Sequence, residues 1–339
     1  MPVIRFLHPV GHFSMPWLHH YIRLLATASL LLITAGGLVT STGSGLSVPD
    51  WPNTYGYFMF SFPLSKMVGG IFYEHGHRLI ASIVGLLTIG LAVWISKTDR
   101  RRWVKRLGWT ALGAVIVQGT LGGLTVIYFL PPGISISHAG LAQLFFALIV
   151  SLAIFTSKGW HSRYDQRPPL NDRVLSRLAL FTPILIYAQI LVGATMRHTD
   201  AGLAIPDFPL IFGGLWPPVW TAGISIHFAH RIGALLVATV VCAMAGHILY
   251  HHASRQELCR PALLLTSLVL IQIALGGWTI WSEKHVAINT AHVAVGALVW
   301  VTAVCLTLRV HREWFATDEQ TQHRDTQLEG VVTHSEAQA

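Results

Sequence analysis

Glu74, His77 and Arg78 stand together in "EHGHRLIASIVGLL", residues 74–87, at the mouth of an uncharged apolar run. A second set, His227, His230 and Arg231, opens "HFAHRIGALL" at residues 227–236, with histidine where the first set has the acid. Imidazoles ligate metals and shuttle protons, a carboxylate accepts or donates a proton, and a guanidinium grips anions bidentately. Two more histidines, His138 and His292, accompany these sets at matched distances along the chain. One intramembrane histidine alone usually does no more than hydrogen-bond between helices. Four of them, paired within one chain, point to a bound metal group.

The elements that position them are membrane helices. Hydrophobic residues make up 53% of the 339 residues and charged ones 11%, too greasy for a soluble domain. Uncharged runs at 20–40, 79–96, 107–130, 136–157, 178–196, 232–250, 261–282 and 286–308 approach or exceed the ~20 residues that cross a bilayer. Backbone groups in lipid must be bonded internally, so these eight spans are expected to be helices. Basic residues set the orientation. The loops 97–106, 158–177 and 251–260 hold thirteen, whereas the alternate loops hold three, Lys66, Arg197 and Lys284. That imbalance predicts cytoplasmic termini on both ends. The net charge of +8 then reflects topology, and no basic-aromatic platform suggests nucleic-acid binding. Cys242 and Cys305 fall in spans and Cys259 on the cytoplasmic side, so no structural disulfide is expected. No small-residue cleavage site follows the first apolar run, which reads as a retained helix.

The chain also repeats itself. "GLSVPDWP" at 45–52 returns as "GLAIPDFP" at 202–209, and "QGTLGGLT" at 118–125 as "QIALGGWT" at 272–279. His77-Arg78 returns as His230-Arg231, and His138 as His292; the offsets run from 153 to 157 residues. Each half carries four spans, an even number, so the halves face the same way. The expected fold is an all-α integral membrane protein of two four-helix bundles related by a pseudo-two-fold axis. The divisions are a cytoplasmic segment 1–19, a half 20–157, a linker 158–177, a half 178–308 and a loose tail 309–339. His77, His138, His230 and His292 then lie at similar depth in the outer third of four helices that run the same way.

Zinc would want three or four ligands converging on one point. Two histidines per bundle, with few acids or thiols nearby, suit axial ligation of haem iron from opposite faces. The "LGGLT" and "LGGWT" runs either open space for a flat macrocycle or let helices pack closely. Arg78 and Arg231 either pair with a haem propionate or snorkel to the interface. His75, His227, His198 and His285 read as neighbours or loop residues. His8, His12, His161, His251, His252, His311, His323 and His334 are expected in solvent. Glu74 shares a helix face with His77, and a carboxylate there is costly to ionise, which poises it for proton transfer or for stabilising positive charge, unless it is simply a helix N-terminal acid favoured by the macrodipole. The acid in one half only suggests one half for chemistry and the other for electron transfer.

Taken together, "GGLVTSTGSGLSVPDWP" at 36–52, "EHGHR" at 74–78, "QGTLGGLTV" at 118–126, "HAGLAQ" at 138–143, "HFAHR" at 227–231 and "LGGWT…NTAH" at 275–292 resemble the haem A synthase family. The resemblance spans both halves, in order, from about residue 20 to 308. It implies an enzyme of the bacterial cytoplasmic membrane that oxidises a ring methyl of haem O to a formyl group. The product, haem A, serves cytochrome oxidase. It also implies that His77 and His138 ligate the substrate haem, that Glu74 assists at the methyl carbon, and that His230 and His292 ligate a haem b relaying electrons. Implied partners are a haem O synthase and an electron donor or acceptor. Many bacterial members carry two cysteines in the first outer loop; Val48 and Thr54 stand there instead, so no thiol mechanism of that loop can operate. Asp50 and Trp51 remain, either capping the substrate pocket or forming a proline-anchored turn with an interfacial tryptophan. The rival readings are a non-enzymatic dihaem cytochrome, which has no need of Glu74, and a parallel-repeat transporter. The latter would place ionisable groups near the midplane, not at the outer ends.

Overall fold

The computed structural model describes residues 16–162 and 170–315. The first fifteen residues and the tail from 316, with His8, His12, His323 and His334, lie outside the described residues. Eight long helices carry the fold: α1 (Pro16–Ser41), α2 (Gly70–Thr98), α3 (Arg102–Ile127), α4 (Pro132–Phe155), α6 (Arg173–His198), α7 (Ala222–His251), α8 (Gln256–Trp281) and α9 (Val286–Val310). A short α5 (Lys158–Ser162) follows α4. All eight are long and apolar enough to cross a membrane. The protein is therefore a multi-pass, all-helical membrane protein. Among the described residues, extended pairing is limited to two isolated bridges, Thr54 with Tyr57 and Ile211 with Gly214.

The sequence forms helices because lipid leaves the backbone no other partner. Even the hydroxyls are turned inward on the helix: Ser29, Thr34, Thr88 and Thr302 each donate to the carbonyl four residues back, at 2.7–2.8 Å. Side chains such as Leu86 and Ile184 are well exposed, which suits lipid rather than water. The buried side of α1–α4 gathers around Ile22, Leu25, Leu91 and Ile149. A second core, around Met244, Ile248, Leu258 and Leu265, joins α6–α9. α1 packs on α2 and α4, and α3 on both α2 and α4; α6 to α9 close in the same order. α1 and α4 meet α6 and α9 between the two groups.

The spans differ from expectation at the outer ends. α2 starts at Gly70 and α7 at Ala222, nine and ten residues before the apolar runs at 79 and 232. The polar sets 74–78 and 227–231 are therefore helical, as the shared face of Glu74 and His77 requires, and each helix extends beyond its apolar run. Hydropathy misses them because their polarity is satisfied by burial under the preceding loop. α3 stops at Ile127, because Phe129 and Leu130 take positive φ, 56° and 60°, in a tight turn. Glu283 and Lys284 make the same turn between α8 and α9, with φ of 51° and 66°.

Candidate functional site

His77, His138, His230 and His292 sit seven, six, eight and six residues past the starts of α2, α4, α7 and α9. At 1.5 Å per residue that places all four roughly 9–12 Å along their helices, at one end of the molecule. Each imidazole lies against a glycine of the preceding helix. A Cβ built on Gly36 would come within 3.1 Å of His77, on Gly122 within 3.1 Å of His138, on Gly193 within 2.9 Å of His230, and on Gly276 within 3.3 Å of His292. At Gly193 the ring would have to move, and at the other three it would have to give by a few tenths of an ångström, so each glycine lets its imidazole sit close. The first glycine of each "LGG" run thus makes room for an imidazole, and the second makes room for the outer loop. A Cβ on Gly123 would strike Trp51 at 2.5 Å, and one on Gly277 would strike Phe208 at 2.6 Å.

The rings are half-buried, and three of them carry a buried nitrogen that is under-bonded. Nδ1 of His77, His138 and His292 has no hydrogen-bond partner. A buried polar atom left so costs about 1–3 kcal/mol, and three in one kind of site call for an electrophile. The centres of the His230 and His292 rings are 6.5 Å apart. Two imidazoles reaching one iron from opposite sides, with metal–nitrogen bonds of about 2 Å, would have ring centres roughly 6 Å apart. The residues therefore fit a haem held between α7 and α9, and His77 and His138 are their counterparts on α2 and α4 in the sequence repeat. Glutamines hold three of the rings. Gln118 donates to His138 O at 3.0 Å, Gln189 to His230 O at 2.7 Å, and Gln272 Nε2 lies 3.2 Å from His292 Nε2. The sequence reading missed Gln189, Gly36 and Gly193, although Gly36 and Gly193 are 157 residues apart, the spacing of the loop repeat.

Above the rings lie two outer loops of one design. Asp50 Oδ1 and Oδ2 accept from the N–H groups of Tyr55 and Gly56 at 2.7 and 2.8 Å. Asp207 does the same with Phe212 and Gly213, at 2.7 Å each. Burial pushes the Asp50 carboxyl up, but these N–H groups and nearby Arg78 outweigh it and hold it below the usual carboxylate range. The clasp thus persists at neutral and mildly acid pH and opens only as pH falls through that lowered value. Cis peptide bonds precede Pro52 and Pro209. Asp50 is therefore a turn-former, while the Trp51 indole covers α3 beside the His138 site.

The polar sets anchor these loops. Arg78 donates to Asp50 O at 2.7 Å, Asn53 O at 3.0 Å and Val48 O at 2.9 Å, and pairs with Glu74 Oε1 at 2.6 Å. Its terminal nitrogens thus bond the chain itself. Arg231 likewise donates to Leu210 O, Ile205 O and Asp207 O, but keeps Nε buried and unpartnered. Glu74 is 4% exposed, and its other oxygen accepts from Val48 N at 2.8 Å. His227 stands in the same place and meets Ile205 N at 3.3 Å. The acid and the imidazole therefore share one structural task, and the Arg78 counter-charge offsets the burial of the carboxylate. His75 is buried rather than in a loop, 2.9 Å from Thr54 Oγ1. His252 and His311, expected in solvent, bond Asp172 at 2.8 Å and Ser176 at 2.7 Å.

A family model described as "cytochrome oxidase assembly protein" matches residues 19–304, most of the chain. The chain belongs to the haem A synthase family of these assembly proteins. A heme A synthase of Symbiobacterium thermophilum is 28% identical over 309 residues, 87% of this chain and 97% of the relative. One from Shouchella clausii is 31% identical over 217 residues, covering 63% and 70%. One from Caulobacter vibrioides is 26% identical, covering 86% and 95%. The family match runs across both histidine pairs and both outer loops.

The four glycines give a direct test of the site. Gly193→Ala should push the His230 ring aside and weaken haem binding by about 1–3 kcal/mol, roughly 10- to 100-fold. Gly246→Ala, on the same bundle with nothing within 4 Å of the added methyl, is the control. Haem content per protein, from absorbance of the purified variants, checks it; equal content in both would remove the glycine from the site.

Proposed function

We propose that the protein is a haem A synthase, an oxidoreductase that converts the ring methyl of haem O to the formyl group of haem A. His77 and His138 hold the substrate, and His230 and His292 hold a resident haem b. The observation that carries this reading is the fourfold histidine–glycine pairing, with an orphaned ring nitrogen on three of the four, joined to an acid in one half only. Haem b, when bound, supplies one-electron redox capacity. The chain's own residues do the rest. Gly36 and Gly122 fix the two rings of the substrate half, and Gln118 holds the backbone beside His138. The loop bearing Val48, Asp50 and Trp51 closes the outer end and keeps water from it. Glu74, paired with Arg78, keeps free lone pairs on both oxygens and takes up a proton released at the substrate. Arg231 Nε is the donor left for a haem b propionate. Arg78 has the different task of holding the loop over Glu74.

The two halves, 20–157 and 178–308, act as bundles related by a pseudo-two-fold axis. Both termini face the cytoplasm of a bacterium, in its cytoplasmic membrane. A haem O synthase delivers the substrate, a separate redox partner exchanges electrons, and the product goes to cytochrome oxidase. The test is co-expression with a haem O-producing enzyme, followed by extraction and chromatography of membrane haems. Haem A or its hydroxylated precursor, absent without this chain, is the expected result. Haem B and unmodified haem O alone, in a folded preparation with its redox partner, would instead make the protein an electron-carrying dihaem cytochrome.

A further inference from the structure

At the far end of α6 and α7 from His230, three ligand-type side chains converge. Asp172 Oδ2 lies 2.7 Å from His247 Nε2 and 2.8 Å from His252 Nε2. All three atoms are within 4.8 Å of one another. We propose that Asp172, His247 and His252 form a binding site for a divalent transition metal of the zinc class, separate from the haem histidines.

The site is built rather than accidental. Asp172 caps α6, and Oδ1 accepts from Leu175 N at 2.9 Å, which fixes the carboxylate and leaves Oδ2 facing the two imidazoles. His247 is on the last turns of α7. His252 is its C-cap, with its own N–H bonded to Ile248 O at 2.8 Å, so both rings hang from ordered backbone. Two imidazoles and a carboxylate are a recurrent zinc ligand set that keeps a fourth position for water. The three side chains are 17–18% exposed, which leaves an entry path from solvent. Burial pushes the Asp172 carboxyl up, but the Leu175 N–H and the two imidazoles outweigh it, so the ligand is ionised at neutral pH. Binding replaces two N–H···O contacts by two nitrogen lone pairs on the metal. The displaced hydrogens move to Nδ1 or to solvent. The ion would staple the start of α6 to the end of α7.

The experiment is zinc titration of the purified full-length protein in detergent, after chelator treatment, against a chromophoric competitor. The parent is compared with His247→Ala/His252→Ala and with Asp172→Asn, which keeps an N-cap acceptor for Leu175 N–H but loses the charge. The parent should bind one tight equivalent more than either variant, with affinity at that site falling more than about 100-fold. Equal stoichiometry and affinity in the parent and a variant of unchanged helix content would overturn the proposal. If the double variant fails to fold, Asp172→Asn decides it alone.

Discussion

Glu74→Gln yields a folded protein that retains haem b and forms no detectable haem A. Glutamine keeps one carbonyl oxygen, which can accept from Val48 N–H or from Arg78 while its NH2 faces the other donor, so the loop stays seated chiefly through the three carbonyls that Arg78 still reaches. What it loses is the negative charge and the basic lone pairs. Arg78 still donates to three loop carbonyls, so the loss of its counter-charge costs about 3 kcal/mol or less. A base working at the reacting carbon contributes roughly 10²- to 10⁴-fold, and conversion should fall by that much. Glu74→Ala is the poorer experiment. It strands a buried guanidinium and a backbone N–H together, about 3–5 kcal/mol, and mixes unfolding with chemistry. Haem chromatography, haem b absorbance and a thermal melt, read on the same preparation, separate the two. Parental haem A formation by a well-folded Glu74→Gln would remove the acid from the mechanism.

His292→Ala, like His230→Ala, should strip haem b from the purified protein altogether. The two rings lie 6.5 Å apart, and removing one would leave a haem between them with a single histidine. His77→Ala, by contrast, should leave haem b at one equivalent and stop conversion. The pyridine haemochrome of each variant gives the answer directly. Normal haem b content in His292→Ala would overturn the assignment of the two halves.

Much of this was legible in the sequence, and the reason is physical. Long apolar runs leave helices as the one way to bond the backbone, so the eight spans follow from composition. The repeat singled out the four histidines, because each half carries the pair at a nearly constant offset. What escaped was whatever depended on a side chain's partner. Arg78 looks identical in sequence whether it grips a propionate or its own loop, and the answer lies in three carbonyls of residues 48–53. Gly36 and Gly193 were missed because a glycine's neighbour on the next helix is not written in its own local sequence. The early starts of α2 and α7 were hidden because hydropathy counts a buried, bonded Glu74 as if it met water.

The shared anchoring task of positions 74 and 227 bears on how such a protein changes over generations. In both halves a backbone N–H of the outer loop finds an acceptor at that position, carboxylate in one and imidazole in the other. Either residue keeps the loop down, so the position is free to drift in chemistry while its contribution to folding is conserved. A doubled gene thus offers a spare copy in which reactivity can be lost or altered without a foldability penalty. One half can specialise while the other holds its original shape.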